Sequence, residues 1–153
     1  MTAPIKKSVD VPLRPAEAFD LFTARMDTWW PLDTHGVGAD NGAPSKDIRF
    51  DAEEGGAVTE ILPGGREARW GTVTEYTQGS SFAMTWHPGR DEAEATHVSV
   101  TFLPLGNGCR VELVHCGFEA RADGTKASTM YAQGWDHLIG TLFARAAAEL
   151  VTA

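Results

Sequence analysis

The sequence predicts an α+β fold in which a curved antiparallel sheet of about six or seven strands surrounds a long C-terminal helix. Three observations indicate this fold. Two short helical stretches follow the first strand, a consecutive run of short strands follows them, and apolar residues recur at helical spacing in the final stretch. A length of 153 residues suits one domain, predicted over residues 1–153.

The first elements are an edge strand and two short helices. The β-branched stretch at 5–12 predicts the strand, and 14–23 predicts a helix with Pro15 at its first position, where a missing N–H costs nothing. Residues 24–30 predict a second short helix, which Pro31 ends.

The middle of the chain predicts an antiparallel meander, because its strands are consecutive and separated by turn signals. The sequences PGG at 63–65 and GNG at 106–108 indicate hairpin turns, and Gly71 inside a long strand indicates a bulge. The predicted strands are 46–53, 57–62, 66–76, 80–88, 96–105 and 109–118.

One long helix is predicted from about Lys126 to the end of the chain. Its apolar face is expected to consist of Tyr131, Trp135, Leu138, Ile139, Leu142, Phe143, Ala146 and Leu150.

Net charge and cysteine usage limit which binding partners and which cellular compartment are expected. A net charge of -8 and a pI near 5.0 argue against nucleic acid and anionic membranes. The N-terminal stretch has no apolar region typical of a signal peptide, and no apolar run approaches the roughly 18 residues of a membrane helix. Cys109 and Cys116 share a predicted strand roughly 23 Å apart, too far for a disulfide. Free thiols predict a cytoplasmic protein.

The chain has none of the motifs that would specify metal, cofactor or nucleophile chemistry. It contains no HExxH, CxxC, GxSxG, P-loop or dinucleotide fingerprint. Acids on predicted strands, such as Glu60 and Glu112, cannot be paired from the sequence. We therefore predict no cofactor and no metal, and the sequence specifies no catalytic set.

Five stretches, in order along the chain, resemble a known family: AFDLFTARMDTWWP, PGGREARWGTV, MTWHP, THVSVTFLPLGNGCRVELVHCGF and YAQGWDHLIGTL. The chain resembles the START-like, or SRPBCC, superfamily with the helix-grip fold, also adopted by Bet v-like proteins. Within that superfamily, the chain most resembles the branch named for the C-terminal domain of activators of the heat-shock-90 ATPase. The resemblance implies a cavity for an apolar ligand between the sheet and the long helix. Members of the superfamily include enzymes, carriers and co-chaperone domains.

Strand alternation predicts which side chains face that cavity. The alternative, that these side chains only fill a core, stays open. The candidate ligand-binding residues are Trp30, Arg66, Trp70, Phe82, Met84, Trp86, Phe102, His115, Tyr131 and Trp135.

Two polar candidates and one glycine carry specific expectations. His115 is either a satisfied core residue or a polar hook for a ligand, able to act as acid or base. Arg66 is expected either to hold a ligand carboxylate, if it shares a face with Trp70, or to lie in solvent. Gly134 in mid-helix predicts either close packing or room for a ligand.

The pair Trp29–Trp30 is predicted at a helix end, where adjacent side chains point about 100° apart, so the two rings are not both expected to enter one core. One ring is predicted to seal the helices against the sheet while the other caps the cavity. Trp30 is favoured as the cap because it adjoins the Gly-rich loop. The alternative is that both rings merely cover an edge.

Three functions are consistent with the sequence. The first is binding of a small apolar ligand in the cavity, with neither nucleic acid nor a membrane expected as a partner. The second is an enzyme of cyclase or hydrolase type that uses the same cavity. The third is a co-chaperone-like interaction module. A homodimer and a chaperone partner stay open.

Overall fold

The computed structural model describes residues 3–152, so Met1, Thr2 and Ala153 of the predicted domain lie outside the described residues. Within that range, seven strands form one antiparallel sheet in the order β1-β7-β6-β5-β4-β3-β2. The strands are β1 (Ile5–Val11), β2 (Asp47–Phe50), β3 (Ala57–Ile61), β4 (Glu67–Thr77), β5 (Ser81–Trp86), β6 (Thr96–Leu105) and β7 (Gly108–Cys116).

The helices lie before the sheet and after it. Where two short helices were predicted, the second is a 3₁₀ turn, and a short helix after it was not predicted. No helix within residues 3–152 is long and apolar enough to cross a membrane. The helices are α1 (Pro15–Phe22), a 3₁₀ turn (Met26–Thr28), α2 (Val37–Asp40), α3 (Gly124–His137), a π-helical segment (Leu138–Phe143) and α4 (Ala144–Thr152), with two further 3₁₀ turns at Glu92–Glu94 and Phe118–Ala120.

The topology confirms the predicted α+β meander. Strands β2 to β7 follow one another in space as in sequence, and β1 lies at an edge beside β7. The hairpin between β3 and β4 turns at Gly64 and Gly65, whose φ angles of 91° and 89° suit glycine. Cys109 and Cys116 lie on β7 as free thiols, as their spacing predicts.

Strand β4 bends because it carries extra residues relative to both neighbours. Val58 of β3 pairs with Gly71 while Thr59 pairs with Arg69, which leaves Trp70 as the extra residue of a bulge. A second register shift lies between β4 and β5. Bulges increase the local twist and bend the strand, which curls this part of the sheet toward the helices. The bulge predicted at Gly71 therefore lies one residue earlier.

Helix α1 fills one end of the space inside the curled sheet. Its Phe19 ring centroid lies 5.3 Å from that of Phe102 and 6.2 Å from that of Phe82. Phe22 contacts the same two rings at 5.9 and 5.7 Å. Edge-to-face contacts at these distances are favourable beyond simple burial. This end of the fold is therefore packed core.

Both Trp29 and Trp30 enter the core, so the expectation that only one could do so was wrong. The preceding helix is a 3₁₀ turn, and Trp29 leaves it with φ −129° and ψ −18°, so the angular spacing of an α-helix does not apply. The two rings meet edge to face with centroids 5.7 Å apart. Trp29 packs on Phe22 and Phe143, with ring centroids 5.1 Å away in both cases.

The long helix is predicted correctly up to the π-helical segment and shifts in phase after it. Phe143 and Ala147 are buried, whereas Ala146 is half-buried and Leu150 is exposed. A π turn holds more residues than an α turn, so it rotates everything that follows. The helical spacing of the sequence contains no sign of this extra residue.

A chain of hydrogen bonds crosses the core at His115, which is fully buried. Trp135 Nε1–H donates to His115 Nδ1 at 3.0 Å, so the ring proton must lie on Nε2. That Nε2–H donates to Thr96 Oγ1 at 2.7 Å, and Thr96 Oγ1–H donates to the carbonyl of Trp86 at 3.1 Å. Burial, with smaller contributions from the charges of Arg121 and His97, lowers the pKa of His115 to about 3.

Gly71→Ala is expected to destabilise the fold by about 3 kcal/mol, because inserting atoms where none fit forces the backbone apart. A Cβ at Gly71 would lie 1.7 Å from the carbonyl oxygen of Thr85, which is backbone and cannot rotate away. The matched control is Gly134→Ala, where a Cβ meets nothing within 4 Å. This control should gain about 0.5–1 kcal/mol from helix propensity. Urea unfolding of both variants checks the difference, and equal midpoints would contradict it.

His115→Phe is expected to cost about 1–3 kcal/mol at pH 7.5, because it leaves the Trp135 and Thr96 groups without partners. The folded pKa of His115, about 3, lies below the ordinary 6.5, so between these values the unfolded chain binds the proton. Wild-type stability should therefore fall with falling pH, by about 1.4 kcal/mol per unit from this group. The difference in free energy of unfolding between His115→Phe and the wild type should therefore become smaller as the pH falls.

Urea unfolding at a series of pH values from 7.5 to 4 measures this difference in free energy of unfolding. His97→Phe is the control, because His97 is exposed on the neighbouring strand, and it should keep most of the stability at pH 7.5. Parallel curves for wild type and His115→Phe across the whole range would refute the assigned role of His115.

Candidate functional site

A pocket of about 310 Å³ lies between the curled sheet and α3, at the end opposite α1. Its walls come from β4, β5, α3 and the stretch that follows Trp30. We call residues 31–45 the cover segment, since part of it closes one side of the pocket. The lining residues are Trp30, Thr34, His35, Gly36, Asp40, Trp70, Trp86, Pro88, Met130, Tyr131, Gly134 and Leu138.

Three tryptophans form the floor of the pocket and pack on one another. The ring centroids of Trp30 and Trp70 are 5.1 Å apart, those of Trp70 and Trp86 5.4 Å, and those of Trp30 and Trp86 5.9 Å. Their relative exposures are 7%, 1% and 3% in chain order. The floor is therefore apolar but nearly closed, and only the edges of these rings meet solvent.

The helix side of the pocket is open where Gly134 stands. A Cβ built at Gly134 meets no atom within 4 Å, so the glycine does not serve close packing. Tyr131, one turn earlier, accepts a hydrogen bond from Trp86 Nε1 at 3.1 Å and so ties α3 to the floor. The sequence left two explanations for Gly134, close packing or room for a ligand, and the structure has empty space beside it.

The cover segment is held by a carboxylate that the sequence analysis could not pair. Glu60 of β3 is fully buried and accepts four hydrogen bonds. Its donors are Val37 N at 2.8 Å, Gly38 N at 2.9 Å, Ser45 Oγ at 2.6 Å and Trp70 Nε1 at 3.0 Å. The first three donors belong to the cover segment, and the fourth belongs to the floor.

Those hydrogen bonds decide the charge state of Glu60. Burial by itself raises the pKa of a carboxyl group, because it penalises the ionised form. The donors of Ser45, Gly38, Val37 and Trp70 stabilise the carboxylate more, and they lower the pKa below its ordinary value. Glu60 is thus an anion at neutral pH, held by neutral donors.

His35 is the titratable base of the cover segment at the pocket. Its Nδ1 lies 2.8 Å from Thr34 Oγ1, and its backbone carbonyl accepts from Trp30 Nε1 at 2.8 Å. Its ring lies 6.4 Å from that of His137 on α3. Burial and the charge of His137 lower the pKa of His35, against the opposing effect of Asp40 and Asp33, so this ring is neutral at pH 7.

The electrostatics of the pocket do not favour an anion. Among the described residues that line it, Asp40 is the carboxylate, and none is lysine or arginine. For Arg66 the sequence left two alternatives, a hold on a ligand carboxylate or a position in solvent. Arg66 is exposed in the turn before β4, where its backbone carbonyl accepts from Leu62 N at 2.7 Å, and it does not line the pocket. Its position at the hairpin end leaves the side chain in solvent.

The structure separates the remaining candidates into two groups. Trp30, Trp70, Trp86 and Tyr131 line the pocket. The others are buried in the core and do not line it, although the rings of Trp135 and His115 lie directly behind its walls, 5.5 Å from Trp86 and 4.8 Å from Tyr131 respectively. This second group consists of Phe82, Met84, Phe102, His115 and Trp135. Both nitrogens of His115 are used within the core, which does not support a role as a ligand hook.

Sequence reasoning missed the cover segment and Glu60. Glu60 is in phase with the buried Val58 on β3, a signal that was available. The Gly-rich loop after Trp30 contains a helical turn at Val37–Asp40, which its composition does not indicate. Among residues 3–152, no group of three or more His, Cys, Asp or Glu side chains is arranged to hold a metal ion.

Comparison with solved structures places this architecture among known folds. At 29% identity, an anthrahydroquino-gamma-pyrone synthase complexed with SUM aligns over 82% of this chain and 84% of its own, with a TM-score of 0.59. An HSP90 activator from Plasmodium falciparum aligns at 19% identity over 75% and 73%, with a TM-score of 0.53. The Aha1 dimer from Colwellia psychrerythraea aligns at 16% identity over 90% and 96%, with a TM-score of 0.54.

Two of these similarities are below 25% identity and show the fold alone. A search of curated protein sequences gave no significant match. The family described as activator of Hsp90 ATPase homolog 1-like protein matches residues 12–147, which is most of the chain. With the helix-grip architecture and this match together, the chain belongs to the activator of Hsp90 ATPase homolog 1-like family.

Proposed function

We propose that this protein binds a small apolar ligand, uncharged or weakly basic, in the pocket between the tryptophan floor and α3. The observation that carries the proposal is the empty space beside Gly134, a half-buried residue of α3 that lines the pocket over the tryptophan floor. A glycine in mid-helix costs about 1 kcal/mol relative to alanine, so space there is gained at the expense of stability. A pocket of about 310 Å³ is also within the size range of small-molecule sites.

The polar groups of the pocket favour binding over catalysis. His35 bonds to its neighbour Thr34, and Tyr131 bonds to the floor through Trp86. These contacts fix the walls and pair no acid with a base in the manner of general acid–base catalysis. Similarity at 29% identity to a synthase complexed with SUM supports a small-molecule role and keeps a cyclase-type enzyme as the alternative.

A co-chaperone role is the third candidate and rests on similarity to an HSP90 activator at 19% identity. Family membership alone does not transfer that activity, because one fold supports many functions. The pocket, by contrast, is a feature of this chain. A small-molecule function is therefore the one that the geometry supports best.

Gly134→Leu is expected to weaken binding of the uncharged dye phenylnaphthylamine by about tenfold or more, because the new side chain occupies the space that the ligand needs. Folding stability should be kept or raised, since leucine is the better helix former. Gly140→Leu is the matched control, because Gly140 is exposed in the same long helix, has open space beside it and does not line the pocket.

Fluorescence titration with folded protein measures the affinity and should give a stoichiometry near one. The sulfonated counterpart, anilinonaphthalene sulfonate, should bind more weakly, since the pocket offers a carboxylate and no lysine or arginine among its described lining residues. Equal loss of affinity in both glycine variants, or tighter binding of the sulfonate, would contradict the proposed site.

Trp30→Phe and Trp29→Phe are expected to separate ligand release from stability. Trp30 lines the pocket and ties the cover segment through the carbonyl of His35. Its replacement should speed dye release about tenfold and remove most of the dye-induced change in protein fluorescence, as the tie is lost. Trp29 packs on Phe22 and Phe143, so its replacement should mainly lower the melting temperature. Equal effects of both replacements on stability, with release unchanged, would show that the pair is only structural.

A further inference from the structure

The geometry points to Glu60 as the positioning residue of the pocket: its buried carboxylate holds the cover segment against the indole of Trp70 and so controls access to the tryptophan floor. This inference rests on the proposed function for the presence of a ligand. The hold on the cover segment itself is a property of the fold.

Glu60 joins two structures that are distant in sequence. Its Oε1 accepts from Val37 N and from Trp70 Nε1, and its Oε2 accepts from Gly38 N and Ser45 Oγ. Each oxygen therefore receives one backbone donor of the cover segment and one side-chain donor. Bonds to a charged acceptor are stronger than neutral ones, and burial strengthens them further.

The cover segment is shaped to approach this carboxylate closely. A Cβ at Gly36 would lie 2.9 Å from Glu60 Oε1 and 3.1 Å from its Cδ. A Cβ at Gly38 would lie 2.5 Å from the carbonyl oxygen of Ala43 and 2.6 Å from Ser45 Oγ. Glycine is needed at both positions for space, since neither φ is in the left-handed region. The close contact thus depends on the carboxylate of Glu60 and also on the glycines of the cover segment.

Access to the floor depends on this contact. Trp70 lines the pocket, yet only 1% of it is exposed, so a ligand resting on its ring needs the cover segment to move. Two ties hold that segment near the pocket: the bonds to Glu60, and the bond from Trp30 to the carbonyl of His35. Glu60 also accepts from the indole of Trp70, so losing its charge weakens the hold on the cover segment and on one tryptophan of the floor together.

The test is Glu60→Gln in the full chain. The amide group of glutamine replaces one acceptor oxygen by a donor that faces other donors. Hydrogen exchange by NMR at the amides of Val37 and Gly38 should become about tenfold faster or more, whereas the amide of Val111 in the core should be unchanged. Association and dissociation of phenylnaphthylamine, followed by stopped flow, should both become about fivefold faster, because the segment opens more often.

Two further variants keep the test decisive. Ser45→Ala removes a single donor and should change the same rates in the same direction by a smaller factor, and it serves if Glu60→Gln does not fold. Glu112→Gln changes an exposed glutamate on β7 and should alter none of the rates.

Unchanged exchange at Val37 and Gly38, or faster exchange with unchanged dye kinetics, would overturn the role of Glu60. Absence of dye binding to the wild-type protein would instead refute the proposed function. The exchange rates alone would then decide whether Glu60 holds the cover segment.

Discussion

The burial of one carboxylate constrains the architecture around the pocket. Removing an ionised group from water costs several kcal/mol unless donors replace the water, and the donors that reach Glu60 are neutral. The buried position of Glu60 on β3 therefore requires two other parts of the chain to converge on it. The segment after Trp30 must fold back over β3, and the bulge of β4 must turn the indole of Trp70 toward it. The pocket lies where these two requirements meet.

Aromatic packing explains why the space inside the sheet is small and lies at one end. Helix α1 fills the other end with phenylalanine rings, and the tryptophans of the floor cover one another. On the facing helix, a Cβ at Gly134 would meet no atom within 4 Å, so the missing side chain there contributes to the pocket. Several of the side chains that suggested a cavity instead fill the core.

Elements that depend on local pattern were predictable, and those that depend on distant partners were not. Alternation along β5, β6 and β7 correctly placed Phe82, Phe102 and His115 inside, because period-two burial follows from strand geometry. The role of His115 needed the indole of Trp135, and the burial of Glu60 needed donors from a loop that has no periodicity. The choice between the two alternatives for Arg66 could not be made from the sequence, because strand alternation does not show where a hairpin ends.

The π-helical segment at Leu138–Phe143 divides the long helix into two parts with separate rotational settings. The half before it carries the residues at the pocket, and the half after it clamps the sheet through Ala147. A wide turn is how a helix absorbs one inserted residue without breaking. An inserted or deleted residue in this segment would therefore rotate the half that lines the pocket and leave the packing of the other half on the sheet unchanged. Helix length is thus one way in which the pocket could vary while the fold stays the same.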